Sequence, residues 1–407
     1  MDEAFPLNGA DMKLTTVIGT AIAAVGLAAC GSSPATPTAR PTLAPPATPV
    51  PTPSPTPAPP PTLVVTAGGN SATSVQLSLV GENGSVAATV EDPGGVDGHA
   101  YYVGTDDVYF LDGTTVKAFG RSGTVSTVGQ VPQVKTSVTA ADLQGYTTFA
   151  VSPDQTMLVF GIPLAMTFDN GAPTDHSQLW TEPAGGTAAD ATMVYDDANN
   201  SDNGGEVLMP FAWSTTGISV SEMCKGLGGM GPFLEWTGCA QATFNPTTRA
   251  LTQTPTNYAG GGEGYLCPAS IAPGSACVIV DSSSLTVVRN SGNETLPLQP
   301  ANAAVYADAM VSADGRYLTY AAYVGTFDSG YYVTTVVDLS TKKTVSTVRN
   351  FAPEVWLPDD RLVGWDNDFP EHGATWLLSP AFTSRTKISP VPAVGALGVL
   401  PQHIPLA

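Results

Sequence analysis

The stretch "VSPDQTMLVF", residues 151–160, returns in altered form as "VSADGRYLTY" at 311–320 and as "WLPDDRLVGW" at 356–365. Each copy has an apolar residue, a four-residue turn and then a strand whose apolar positions alternate. In the first copy Pro153 presets the backbone angle of the second turn position, and Asp154 can bond its own backbone. The repetition predicts a fold assembled from several copies of one β-unit.

Two weaker copies lie between these, "WSTTGISV" at 213–220 and "IAPGSACVIV" at 271–280. The five copies begin near Ser152, Ser214, Ala272, Ser312 and Leu357. Their spacing of about 40 to 60 residues is the length of a four-stranded propeller blade with some long loops. Residues 64–145 leave room for one or two further units.

The composition is that of a folded β-domain. Hydrophobic residues make up 43% of the 407 residues, which is ample for a core, while charged residues make up only 12%. The 42 glycines and 36 prolines favour turns and strands over long helices. Short alternating runs such as "SVQLSLVG" and "VYFLDG" indicate further strands before the first copy.

The turn followed by a strand resembles the blades of TolB-type and WD40-like β-propellers. This resemblance implies an all-β fold in which residues 63–407 form a propeller of six or seven four-stranded blades. Each blade of such a ring buries its faces against two neighbours, and we expect the domain to be a monomer. A pair of elongated β-sandwiches is the alternative, because similar turns occur in ordinary hairpins.

The N-terminal segment changes character at one cysteine. The apolar run "LTTVIGTAIAAVGLAA", residues 14–29, is too short to cross a bilayer comfortably and is typical of a secretory signal. Residues 27–30 resemble the lipobox of bacterial lipoproteins, which implies that residues 1–30 are a signal peptide and that Cys30 carries the lipid anchor. An acidic stretch before Met12 departs from this pattern, so we expect translation to start at Met12. The alternative is a buried cysteine at the end of a helix.

Residues 31–62 contain almost only Pro, Thr, Ala and Ser and cannot bury a core, so we expect an extended polyproline II linker. At about 3.1 Å per residue its reach is up to roughly 100 Å. Together the signal, the lipidated cysteine and the linker predict an extracytoplasmic domain held at a bacterial membrane by its lipid.

The formal net charge of −20 restricts the partners. A surface this acidic repels phosphate backbones, so nucleic acid is excluded as a partner. Metal ions and basic segments of proteins remain compatible with the charge. Simple solubility is the plainer explanation of the same charge.

Four further cysteines, Cys224, Cys239, Cys267 and Cys277, form an even set in an exported chain, where disulfides persist. Three pairings can be drawn. We expect Cys224 to pair with Cys239 across a Gly-rich loop, and Cys267 with Cys277 across the turn "PASIAPGSA". A zinc site is the alternative, but no C-x-x-C spacing and no nearby histidine supports it.

No residue is assigned a catalytic role and no cofactor is identified. The sequence lacks the G-x-S-x-G elbow, H-E-x-x-H, the P-loop and the dinucleotide fingerprint, and Gly315 comes one place too early for the sialidase turn. The Asp-rich stretch at 195–206 lacks the glycine and glutamate that an EF-hand loop needs at its sixth and twelfth positions. We interpret that stretch as a solvated loop.

Acidic loops follow the repeat strand in three copies, so all three should emerge on one face of the ring. Oxygen ligands from several loops would suit Ca²⁺, and the same rim could receive a basic segment of a partner. The candidate rim residues are Asp169, Asp175, His176, Asp328, Asp366, Asp368, Glu371 and His372. The alternative is a set of independent solvated loops that never meet.

Two functions are consistent with these features. The first is a lipid-anchored propeller that acts as a binding, adhesion or envelope-assembly scaffold for a protein or glycan ligand. The alternative is a carbohydrate-active hydrolase or lyase that uses acidic residues on a propeller face. A glycosidase of that kind needs two carboxylates about 5 to 10 Å apart across a pocket.

Overall fold

A computed structural model describes most of the chain from residue 61 onward. The described residues are 61–71, 74–92, 101–137, 147–165, 176–197, 207–223, 238–253, 277–280, 284–289, 291–303, 305–326, 330–366, 374–389 and 393–400. All of them belong to the second of two compact units, Ala58–Ala407, and none to the first, Met1–Pro57. Within these ranges the backbone forms strands, turns and irregular connections, and no helix is long and apolar enough to span a membrane.

The strands are short and follow one another closely along the chain. The first seven are β1 (Leu63–Ser71), β2 (Ser74–Gly81), β3 (Val86–Asp92), β4 (Tyr101–Val103), β5 (Asp107–Asp112), β6 (Thr115–Gly120) and β7 (Val125–Gln130). The next eight are β8 (Thr148–Val151), β9 (Met157–Ala165), β10 (His176–Pro183), β11 (Thr192–Asp196), β12 (Val207–Ser214), β13 (Gly217–Met223), β14 (Gly238–Asn245) and β15 (Ala250–Gln253).

The remaining strands complete the domain. They are β16 (Cys277–Val280), β17 (Ser284–Arg289), β18 (Gly292–Pro297), β19 (Val305–Val311), β20 (Tyr317–Val324), β21 (Tyr331–Asp338), β22 (Lys343–Arg349), β23 (Ala352–Trp356), β24 (Leu362–Trp365), β25 (Thr375–Leu378), β26 (Arg385–Lys387) and β27 (Ala393–Leu400).

These strands form seven antiparallel sheets, which we name blades A to G in ring order. Blade A has the order β27-β1-β2-β3, so it combines the last strand with the first three. Blades B, C and D are β4 to β7, β8 to β11 and β12 to β15. Blade E contains β16 to β18, and blades F and G are β19 to β22 and β23 to β26.

The blades are arranged in a ring. The inner strand β27 of blade A contacts β4 of blade B and β23 of blade G, and further strand contacts join B to C, C to D, E to F and F to G. Apolar clusters fill the seams between blades, as where Phe110 and Phe119 of blade B pack with Leu77 of blade A. The described residues therefore form a β-propeller with seven blades. The predicted all-β propeller is confirmed, and of the two expected blade numbers the larger is found.

The repeated turn has the same hydrogen bonds in different blades. In blade C the Ser152 hydroxyl donates to Asp154 Oδ1 at 2.6 Å and accepts from the Met157 amide at 2.9 Å. In blade F the Ser312 hydroxyl donates to Asp314 Oδ1 at 2.7 Å and accepts from an amide at 2.9 Å. The serine and aspartate of the repeat are therefore used to close the turn between the first and second strands of a blade.

Alternating strand directions divide the connections between two faces of the ring. We call "turn face" the side that carries the connections between the first and second and between the third and fourth strands of each blade. In blades A to D, F and G these connections are short, the longest being residues 184–191. We call the opposite side the "loop face", where the second strand of each blade ends and the third begins, as β9 and β10 do.

Gly161 of β9 marks a close approach between blades C and D. A Cβ atom at this position would lie 2.1 Å from the carbonyl oxygen of Leu208 and 2.5 Å from Cδ of Pro210, both in the first strand of blade D. Only glycine allows the two backbones to pack at this separation.

We predict that Gly161→Ala lowers the free energy of unfolding by about 1–3 kcal/mol, because the methyl group meets a backbone atom that cannot rotate away. Urea unfolding measures the change. As a control, Gly113→Asn places a side chain in open space at a φ of 59°, which asparagine tolerates, and should cost much less. Equal losses for the two variants would contradict the close approach.

Candidate functional site

Side chains on the turn face tie neighbouring blades together. Arg289 of blade E donates from Nη2 to the carbonyl of Gly315 in blade F at 3.1 Å. Arg361 of blade G lies 2.5 Å from the Glu82 carboxylate of blade A. These two contacts join blade E to blade F and blade G to blade A.

Two interacting carboxyl groups lie on the same face, Asp314 of blade F and Asp360 of blade G. Burial, together with a hydrogen bond and charge repulsion from Asp314, raises the pKa of Asp360. Burial alone would raise the pKa of Asp314 too, but hydrogen bonds from the Ser312 hydroxyl and the Arg316 amide hold it below the ordinary aspartate value. The lowered pKa of Asp314 and the raised pKa of Asp360 favour a proton on Asp360 that is shared with an ionised Asp314.

Because the pKa of Asp360 is raised in the folded state, its contribution to stability is full at low pH and is lost as pH rises through the folded pKa. We therefore predict that Asp360→Asn, which keeps a hydrogen-bond donor, increases stability at pH 7 relative to the native chain and has little effect at pH 3. Urea unfolding at both values measures the difference. A variant equally destabilised at both pH values would contradict the shared proton.

The loop face of blades F and G carries an aromatic seam. Tyr332 is buried between Tyr323 of the same blade and Trp365 of blade G, with ring centroids 5.3 Å and 5.7 Å away. Beside it, the Arg349 guanidinium lies 3.7 Å above the centre of the Tyr331 ring. Trp365, Tyr331 and Arg349 are at least partly exposed, so rings and a cation face solvent where the two blades meet.

Asp366 is held at the edge of this seam by a cation from the outer strand of its own blade. It directly follows β24, is 8% exposed, and lies with Oδ2 2.9 Å from Nη2 of Arg385. Arg385 also stacks on Trp376 at 4.9 Å and donates to the carbonyl of Asn350 at 3.2 Å. Because Asn350 lies between the last strand of blade F and the first of blade G, the ion pair also fixes the seam. We call Tyr331, Arg349, Trp365, Asp366 and Arg385 the F–G seam.

A second polar group occupies the loop face of blade C. His176 begins β10, and its Nε2 lies 2.6 Å from Oδ1 of Asp196 at the end of β11. Gln178 donates to the other oxygen of Asp196 at 2.6 Å, and Trp180 donates to Gln178 at 3.0 Å. This chain of hydrogen bonds fixes the imidazole orientation, as partners of histidine do in many functional sites.

Two of the eight predicted rim residues lie within the described chain. His176 and Asp366 are both at loop-face ends of strands, as the repeat register predicts. They occupy blades C and G, which are not ring neighbours, and each already has an ionisable partner in its own blade. The other six, Asp169, Asp175, Asp328, Asp368, Glu371 and His372, lie outside the described residues, so the convergence of the loops stays a prediction.

The structure describes only some of the other residues that the sequence predicts as sites. Cys30, Cys224 and Cys267 lie outside the described residues, while Cys239 is in β14 and Cys277 begins β16. Among the described residues no group of three or more His, Cys, Asp or Glu side chains is arranged to hold a metal ion. The disulfide pairings and a calcium site formed by the rim loops therefore also remain predictions.

Sequence reasoning missed the partners of the loop-face residues. Asp196 and Arg385 lie in outer strands with no motif around them, and they meet their partners through sheet pairing rather than sequence spacing. The alternation of His176, Gln178 and Trp180 on one side of β10 was a usable signal, because residues two apart in a strand share a face.

Comparisons with known proteins do not indicate a function. No protein-family model and no curated protein sequence matches the chain. Similar solved structures include TolB from Acinetobacter baumannii, with 11% identity over 82% of this chain and 66% of that one and a TM-score of 0.35. An oligogalacturonate lyase from Vibrio parahaemolyticus has 10% identity over 78% of this chain and 92% of that one, with a TM-score of 0.46.

A prolyl endopeptidase has 11% identity over 83% of this chain, with a TM-score of 0.44. This chain spans 50% of that endopeptidase. At these identities and scores the propeller assignment rests on the order of strands and blades in this chain, and nothing about chemistry is transferred.

We predict that Arg385→Met lowers the free energy of unfolding by about 3 kcal/mol, because a mostly buried carboxylate then loses its cation. Adding Asp366→Asn should recover part of the loss, since the uncompensated charge is removed. Urea unfolding of both single variants and of the double variant measures the coupling. Additive losses would contradict a direct pair in the F–G seam.

Proposed function

We propose that the protein is a lipid-anchored extracytoplasmic β-propeller that binds a protein or glycan partner through its loop face. The proposal combines the lipobox-like segment around Cys30 and the Pro/Thr-rich linker with the division of the ring into two faces. Its function on this view is that of a scaffold for binding, adhesion or envelope assembly, with no catalytic residue assigned.

The observation that carries the proposal is the place where the chain joins the ring. β1 is the second strand of blade A, so Pro61 and Thr62 approach it on the turn face. Consistent with this, the Pro61 carbonyl accepts a hydrogen bond of 2.6 Å from Arg121, in the turn between the third and fourth strands of blade B. A tether attached there leaves the loop face free to meet a partner.

The F–G seam supplies the chemistry for such a contact. Partly exposed aromatic rings offer large apolar area at low entropic cost, and they stack on the apolar faces of sugars as well as on protein side chains. The fixed Asp366–Arg385 pair adds an acceptor and donors in set directions. Rigid polar groups beside exposed rings are typical of specific contact surfaces.

The binding proposal is tested on a glycan array with the full chain released from its lipid, together with an affinity screen of envelope proteins from the same cell. Tyr331→Ala/Arg349→Ala removes the exposed ring and cation on the loop face and should weaken any ligand found by tenfold or more. Glu294→Ala/Lys342→Ala removes an ion pair near the turn face and is the matched control. Binding that survives the first change and is lost with the second would overturn the assignment of faces.

The anchor is tested separately. We predict that Cys30→Ser moves the protein from the detergent phase to the aqueous phase, because it removes the thiol that would carry the acyl chains. Phase partitioning of the native chain and of Cys30→Ser measures the change, with Cys277→Ser as a control that should partition like the native chain. Unchanged partitioning of Cys30→Ser would remove the anchor from the proposal.

A further inference from the structure

The end of β7, the outer strand of blade B, lies against the turn at residues 184–191 that joins the third and fourth strands of blade C. The Gly185 amide of this turn donates to the Val128 carbonyl of β7 at 2.8 Å. The Ala188 amide of the same turn lies 3.4 Å from Oε1 of Gln130, the last residue of β7. These contacts join the outer part of blade B to the outer part of blade C.

Glu182 lies beneath this contact. It is the last residue but one of β10 and is 0% exposed. Its Oε1 accepts a hydrogen bond of 3.0 Å from the Gln130 amide, so it also joins blade C to the end of β7. Its Oε2 is buried and has no hydrogen-bond partner among the described residues. An oxygen of this kind is unusual in a protein interior, because burying an unpaired polar atom costs free energy.

Two glycines enclose the carboxyl group. A Cβ atom at Gly129 would lie 3.0 Å from Oε1 of Glu182 and 2.2 Å from Cδ1 of Leu158. A Cβ atom at Gly186 would lie 3.1 Å from Cγ of Glu182. Trp180, two residues earlier on the same side of β10, packs with Leu158 in the apolar cluster between blades B and C. Glu182 is therefore surrounded by main-chain atoms and apolar side chains and is closed off from solvent.

The charge that acts on Glu182 is negative. Burial raises the pKa of Glu182, the hydrogen bond from Gln130 partly opposes this, and repulsion from Asp190 raises the pKa further. Asp190 accepts hydrogen bonds from the Thr187 amide at 2.9 Å and the Thr187 hydroxyl at 2.8 Å, and these hold its own pKa below the ordinary value. Asp190 is therefore ionised when Glu182 titrates, and it favours the neutral form of Glu182.

The other ionisable groups of the B–C seam are neutral, exposed or engaged elsewhere. The strands β7 and β9 contain no ionisable side chain. Burial raises the pKa of Tyr102, and it is the main cause that raises the pKa of Tyr109 to about 12, so both are uncharged at neutral pH. Asp154 is exposed, and His176 is paired with Asp196 at the other end of β10.

No cation compensates a negative charge on Glu182 within the described part of the chain. Two cations of blade B have partners elsewhere, since Lys117 pairs with Asp112 and Arg121 donates to the Pro61 carbonyl. Neither Lys135, in the connection after β7, nor any other described lysine or arginine forms an ion pair with Glu182. Ionisation of Glu182 would place an unpaired charge inside the seam, which costs far more than burying the neutral acid.

We propose that Glu182 is a proton-controlled latch between blades B and C. The neutral acid keeps the Gln130 hydrogen bond and holds the end of β7 against the turn at 184–191, whereas the ionised form loosens this contact. The latch depends on these contacts alone, and not on the proposed anchor or binding surface.

The direction of the effect follows from the raised pKa of Glu182 in the folded state. Its contribution to stability is full at low pH and is lost as pH rises through the folded pKa. The inner strands β4 and β8 also join the two blades and do not include Glu182. We therefore expect local opening of the outer seam at higher pH, with the ring as a whole still folded.

Amide hydrogen exchange in the full chain, measured at intervals between pH 4 and pH 8 and corrected for the intrinsic rate, reports the latch. The Gly185 and Gln130 amides, which bond across the seam, should lose protection by tenfold or more as pH rises, with one shared midpoint. The Asn350 amide, which donates to the Tyr332 carbonyl at 2.8 Å within blade F, is the internal control and should not follow them. This local difference separates the latch from the pH dependence that Asp360 gives to the whole domain.

Two variants locate the proton. Glu182→Gln keeps the size of the side chain and an acceptor oxygen but cannot ionise, so the Gly185 and Gln130 amides should stay protected across the whole range. Asp190→Asn removes the repelling charge, so the transition should remain and move to lower pH. Urea unfolding shows that each variant folds.

Protection of Gly185 that does not change with pH in the native chain would overturn the proposal, even if Glu182→Gln failed to fold. A transition with the same midpoint in Glu182→Gln would also contradict it, because the proton would then belong to another group. Loss of the transition in Asp190→Asn would assign the proton to Asp190 instead of Glu182.

Discussion

The pairing of the last strand with the first is the constraint on which the rest of the domain depends. β27 pairs with β1 from Leu63 opposite Leu400 to Gly68 opposite Ala393, so blade A exists only when both ends of the domain are in place. The free edge of β27 is also contacted by blade G, because the Glu354 carboxylate accepts a hydrogen bond of 2.7 Å from the Ala396 amide. Closure gives blades A and G their second neighbour.

The two faces of the ring carry different kinds of contact. Short turns on one side contain the repeated serines and aspartates. On the same side, Arg289 and Arg361 bond to groups of the next blade. On the other side, the F–G seam and the His176–Asp196 pair are held by partners in outer strands. Pro61 and Thr62 join the ring on the turn face, on the side opposite the F–G seam.

Much of this architecture could be predicted from the sequence, because the turn repeats in the chain itself. Pro153 with Asp154, and Asp314 with Gly315, mark where first strands end, and their spacing sets the blade length. The partners of His176 and Asp366 could not be predicted, since Asp196 and Arg385 reach them through strand pairing that spacing does not reveal.

The central claim is that one ring is closed by β27, and deletion of that strand tests it most directly. Removing residues 393–407 from the full chain leaves β1 without its partner, whereas removing only 401–407 keeps the pairing intact and serves as the control. We predict that the shorter deletion unfolds in urea as one cooperative transition, while the longer one loses that transition and gains amide exchange throughout β1. Similar free energies of unfolding and similar exchange for the two truncated chains would contradict a closed ring.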